Sequence, residues 1–165
     1  MRKTCLCGLP LLLPAINLSA QRSATYRSPD EALVAKITRV AKSGEAVVEI
    51  SGADGKVFFK RDYTSPDGEH GQGVCFAAWT PDSEFFVFSL QNSGGHQPWS
   101  RPTEFYSRQK REAFSLDRLT SPITECEFKV ESPNWICTKR LDARTGRYDL
   151  PLKVRLSKLV HISPQ

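Results

Sequence analysis

The sequence predicts an all-β fold, an antiparallel meander of about three similar units, and three observations carry that prediction. Runs of strand length, rich in β-branched and aromatic residues, alternate with Gly-, Pro- and Asp-containing turns along the chain. A hydroxyl-Pro-Asp/Asn triplet recurs at even spacing, starting at residues 28, 80 and 132, and each copy precedes an apolar run. The stretch 73–99 is the most hydrophobic of the chain after its first twenty residues, with two apolar strands joined by Thr80-Pro81-Asp82.

The 165 residues begin with a pattern of secretory signal peptides. Arg2 and Lys3 form a positive start, 5–18 is apolar with the run Leu11-Leu12-Leu13, and Leu18-Ser19-Ala20 offers a small-residue cleavage site. Pro10 and Pro14 interrupt a stretch already too short to span a bilayer, which takes roughly 20 apolar residues. The expectation is a signal peptide at 1–20, a single all-β domain at 21–165, export to the periplasm or exterior, and no membrane span after cleavage. Removing Arg2 and Lys3 lowers the basic count from 23 to 21 against 18 acids, a mild excess. The cluster Arg108, Lys110, Arg111 reads as a solvated turn, so nucleic acid is not an expected partner.

Three cysteines follow residue 20: Cys75, Cys126 and Cys137. Export permits oxidation. Cys126 and Cys137 flank an expected hairpin and are the candidate disulfide, which leaves Cys75 as a buried, inert thiol.

The units are expected near 21–63, 73–119 and 123–160. In the first, 32–40 reads as a strand, although a capping box at Ser28–Glu31 and the spacing of Leu33, Ile37 and Val40 also fit a short helix. Residues 46–50 form the next strand, Asp54-Gly55 marks a hairpin turn, and Val57-Phe58-Phe59 opens another strand. A glycine-rich loop, 64–73, leads to the second unit. There 74–79 and 85–90 are strands, and in the latter Phe85 and Val87 face one way while Phe86, Phe88 and Leu90 face the other. With both faces apolar, that strand requires a cover on each side. Residues 103–107 and 113–116 complete a four-strand meander around the basic turn. In the third unit, Cys126, Phe128 and Val130 alternate with charges, 135–141 follows the turn, 142–149 is a charged loop, and 150–156 is a half-buried strand with a basic outer face.

A strand ending in Trp79, the turn Thr80-Pro81-Asp82, an aromatic strand and two shorter strands together resemble a β-propeller blade, of the WD40-like kind found in the periplasmic Tol-system propeller. Ser83 stands where those blades carry Gly. The resemblance implies architecture and no activity. Closed propellers take about 4–8 blades, so a chain with three is expected as a partial propeller or sandwich-like unit. A ring completed by further copies of the chain is the alternative.

Chemistry-bearing residues are few. If 74–79 and 85–90 pair through the Thr80-Pro81 turn, their far ends bring His70 and His96 to one rim. The loop Gly94-Gly95-His96-Gln97-Pro98-Trp99 then offers an imidazole, the Gln97 amide and the Trp99 ring, with Arg101 as a fork for a carboxylate. His70, His96, Gln97, Trp99 and Arg101 are the candidate binding residues. No metal spacing, nucleophile elbow or carboxylate pair is legible, so no catalytic residue, metal or cofactor is assigned. The expected function is non-catalytic binding of a protein or cell-envelope partner through the rim loops. A small metal-dependent or hydrolytic enzyme using His70 and His96, and a subunit of a ring-forming homo-oligomer, are the alternatives.

Overall fold

The structure, a computed structural model, describes residues 21–95, 97 and 99–161; the expected signal peptide at 1–20 and His96 lie outside them. Three antiparallel sheets follow one another along the chain. The first holds β1 (Arg22–Arg27), β2 (Leu33–Arg39), β3 (Ala46–Gly52) and β4 (Val57–Asp62) in that order. The second holds β5 (Gln72–Trp79), β6 (Phe85–Asn92), β7 (Thr103–Ser107) and β8 (Glu112–Ser115), followed by the helical turn α1 (Leu116–Leu119). The third holds β9 (Lys129–Glu131), β10 (Trp135–Asp142) and β11 (Arg147–Arg155), and α2 (Leu156–Leu159) follows.

The middle sheet is the one covered on both faces. Phe86, Phe88 and Leu90 pack toward the first sheet with Leu33, Ile37, Val48 and Ile50, all at most 5% exposed. Phe85 and Val87 face the third, joining Phe105, Ile123, Ile136 and Leu156. The period-two split read along 85–90 is thus the division between two cores. The outer faces of the end sheets are polar. On the first, Lys36, Glu49 and Lys60 stand in cross-strand register, with Lys60 paired to Glu49 at 3.7 Å. On the third, Glu131 pairs with Lys129 and Lys153 at 3.1 and 2.7 Å, and the Lys153 ammonium lies 5.5 Å from the Trp135 ring centroid.

The first two repeated triplets set up the same local geometry; the third, Ser132-Pro133-Asn134, departs from it, with an exposed Ser132 and no left-handed φ at the residue that follows. The Ser28 hydroxyl donates to Asp30 at 2.6 Å and accepts from the Leu33 amide at 3.0 Å; Thr80 does the same with Asp82 (2.6 Å) and Phe85 (3.0 Å). The hydroxyl closes the turn, and proline presets φ for it. The residue after each of these two triplets takes a left-handed φ, 60° at Glu31 and 61° at Ser83, a conformation that glycine adopts most easily. Ser83 is used: its hydroxyl accepts from the Asp30 amide at 3.1 Å. Asn134 of the third copy donates to Asp82 at 2.5 Å, so the turns of adjacent sheets are joined. The Trp79 indole donates to the Tyr26 carbonyl at 3.0 Å and ties the first sheet to the second.

Several expectations are corrected. The disulfide is Cys75–Cys126 (Cα–Cα 6.1 Å), not Cys126–Cys137, and Cys137 is the free thiol. The reason is a β-bulge. The register of β5 on β6 shifts between Val74 and Phe76, which leaves Cys75 as the extra residue. Phe76 already packs with the core shared by the second and third sheets, so Cys75 meets the connection carrying Cys126. Cys137 lies opposite Lys129 and Lys153 in β10, on the outer face of the third sheet. The strand expected over 32–40 is present at Leu33–Arg39, and the alternative short helix is not, because Leu33, Ala35 and Ile37 are buried with period two. The strand expected over 126–130 is reduced to Lys129–Glu131, and the charged loop is shortened because β11 already starts at Arg147. β1, with its mixed polar sequence, had no apolar signal to reveal it.

β11 is an outer edge of its sheet, with no fourth strand beside it among the described residues, and it carries Pro151.

Candidate rim-loop site

Pairing of Gln72 with Asn92 places the loops before β5 and after β6 side by side. The Ser93 amide donates to the Gly71 carbonyl at 3.0 Å, so the first residues of the Gly94-Gly95 loop are stitched to the loop carrying His70. His70 Nδ1 lies 2.5 Å from Asp67 Oδ2, both side chains being more than half exposed. Asp67 is held below the usual carboxylate range by the Glu69 amide, then by His70 and Ser65. The Ser65-Pro66-Asp67 step, out of register with the other triplets, makes a similar turn: Ser65 Oγ lies 2.9 Å from Asp67 Oδ1, accepts from the His70 amide at 3.2 Å, and Gly68 supplies φ of 74°.

The group that organises this end was not foreseen. Glu45 is 1% exposed and its carboxylate accepts four hydrogen bonds. They come from the Ser65 amide (2.8 Å), the Ser65 hydroxyl, the Gly71 amide and the Ser93 hydroxyl (each 2.7 Å). A Cβ at Gly71 would collide with the Glu45 carboxyl group, so glycine is required there. The sequence signal was indirect: a loop with hydroxyls at 65 and 93 and glycines at 71 and 73 had an acceptor to wrap around. A cavity of about 650 Å³ beside it is lined by Lys42, Ser43, Glu45, Ser65, Asp67 and Glu69, among others.

Burial pushes the Glu45 carboxyl up, but the donors from Ser65, Ser93 and Gly71 outweigh it and bring it from the ordinary 4.5 down to about 2. A folded-state value below the ordinary one means the ionised group stabilises the fold fully above about pH 4.5. That contribution fades as pH falls toward about 2. Glu45→Gln is therefore expected to lower the urea midpoint at pH 7 and to flatten its decline between pH 4.5 and 2. Parallel midpoint-against-pH curves for the two proteins would refute this.

The predicted residues divide into two groups. His70 belongs to the Glu45 side. Trp99 turns the other way: it is 40% exposed and meets Tyr148 of β11, itself 52% exposed, edge-on at a centroid distance of 6.0 Å. Arg101 is held by its backbone, its amide donating to Ile123 at 2.9 Å and its guanidinium to the Ser100 carbonyl at 3.0 Å. Gln97 is exposed with φ of 53°, and its carbonyl accepts from Ser100. His96 lies outside the described residues. Tyr148 was missed because the sequence placed it in a loop. Among the described residues no group of three His, Cys, Asp or Glu side chains is arranged to hold a metal, and no helix is long and apolar enough to cross a membrane.

No family profile matches the chain, and no curated protein does. A solved structure from a study of two prolyl endopeptidases and the role of inter-domain dynamics in their catalysis and specificity is similar in fold. The TM-score is 0.52 at 14% identity, over 82% of this chain and 19% of that one. The chain thus spans about a fifth of that protein's length. At this identity the likeness concerns fold alone: that protein contains a propeller, and the sheets here are propeller-like.

Proposed function

We propose that the chain is an exported, non-catalytic β-domain that binds a protein or other cell-envelope component through the loops at its Trp99 end. One observation carries this reading. Trp99 of the loop between β6 and β7 and Tyr148 of the third sheet form a paired, solvent-facing aromatic surface, and exposed aromatics of this kind are the usual anchors of protein recognition. The Cys75–Cys126 disulfide supports an oxidising compartment, in keeping with the signal-peptide pattern of residues 1–20. The Trp79-Thr80-Pro81-Asp82 step keeps kinship with Tol-type blades within the proposal. The charged outer faces of the end sheets favour this reading over a ring of several copies, which would have to desolvate them.

Expected result: a Trp99→Ala/Tyr148→Ala double variant melts within a few degrees of the parent, but captures its envelope partners from a periplasmic extract at least about tenfold less well, as loss of a two-residue hot spot implies. An unchanged set of captured proteins at unchanged yield would refute the proposal.

A further inference from the structure

At the end of the molecule opposite the rim loops, the first and second sheets leave a cavity of about 550 Å³ between their turns. Its walls include Ala32, Leu33, Ala53 and Phe58, and its polar groups are Tyr106, Arg108, Arg111 and Asp54. A mainly apolar cavity of this size with a few convergent polar groups has the build of a small-molecule site.

Tyr106 is 1% exposed and lines this cavity, and its hydroxyl makes no hydrogen bond among the described residues. A phenol at a cavity wall keeps a donor and an acceptor for whatever enters the cavity. Burial raises the Tyr106 phenol, and the charges of Arg111 and Arg108, which line the same cavity, pull against that. The two arginines differ. Arg108 is paired with Asp30. Arg111 has no carboxylate within ion-pair distance among the described residues; its guanidinium sits 4.7 Å from the Phe58 ring centroid. Asp54 is engaged with the Lys56 amide at 3.0 Å. Gly52 shapes the floor, since a Cβ there would come within 2.6 Å of Asp54 Oδ1 and 3.2 Å of the Phe58 ring.

We infer that this cavity binds a small organic monocarboxylate with an apolar or aromatic body. The carboxylate would accept from the Tyr106 hydroxyl and the Arg111 guanidinium, and the body would lie against Phe58 and Leu33. One uncompensated guanidinium matches one negative charge, whereas a phosphate dianion would sit near Asp54 with its second charge unmatched. The site is independent of the Trp99 surface.

The test uses benzoate as probe, with benzamide and inorganic phosphate as controls, by isothermal titration calorimetry on the disulfide-bonded protein. Benzoate is expected to bind with a 1:1 stoichiometry and at least about tenfold more tightly than either control, the margin one charge-assisted hydrogen bond supplies. Tyr106→Phe removes a hydroxyl with no partner in the fold, so it should melt like the parent while binding benzoate about tenfold more weakly. Arg111→Gln should do the same, and Trp99→Ala/Tyr148→Ala should leave benzoate binding unchanged. The inference is overturned if benzoate fails to bind at millimolar concentration, if benzamide or phosphate binds as well, or if Tyr106→Phe binds benzoate like the parent.

Discussion

Replacing Phe86 by alanine is expected to cost about 3–5 kcal/mol, the range for truncating a fully buried aromatic. Phe86 is 0% exposed at the centre of the sheet that both neighbours cover. Its ring meets Trp79 at 5.1 Å, Tyr26 at 5.6 Å and Phe88 at 5.9 Å, so it touches the first sheet and its own sheet at once. Its register partners are Trp79 on one side and Tyr106 on the other, neither of which can collapse into the space left. For a domain of this size the melting temperature should fall by roughly 10 °C or more. Urea titration is the direct check. A loss below about 1 kcal/mol would mean that the aromatic cluster does not hold the first two sheets together.

Removing the disulfide as a Cys75→Ala/Cys126→Ala pair is expected to cost about 4 kcal/mol, the loop-closure value for a chain segment of this length; the bonded residues are 51 apart. The bond joins the middle sheet to the connection that feeds the third, where β9 has only three residues and little pairing of its own. Cys137→Ser should change the melting temperature by a degree or two at most, since the residue is half-exposed on an outer face. Peptide mapping without reductant should recover the 75–126 cross-link. Recovery of a 126–137 cross-link, or a melting temperature indifferent to reductant, would contradict the structure.

Much of the fold was legible because its rules are local. The triplets at 28 and 80 are turns that proline and a hydroxyl enforce within five residues, and the alternation over 85–90 states which core each side chain enters. What escaped was non-local. Nothing near Glu45 in sequence announces donors at Ser65, Gly71 and Ser93. The disulfide pairing depended on a one-residue bulge at Cys75, which reverses a side chain without leaving a compositional trace. β1 pairs through its backbone and carries no apolar run. At the rim, shared location was readable from connectivity. The division between the His70 side and the Trp99 side was not, because it depends on Tyr148 reaching Trp99 from a strand of the next sheet.

The free edge of β11 has a consequence for behaviour in concentrated solution. An unpaired edge strand of nine residues is a template on which a second chain could add and start an aggregate. Here Pro151 removes an amide from its middle, and Lys153 and Arg155 follow along the same strand. An incoming strand would meet a gap in the donors and a local excess of positive charge. Among the described residues the third sheet stops at three strands, and its edge is poorly suited to accept a fourth from another molecule.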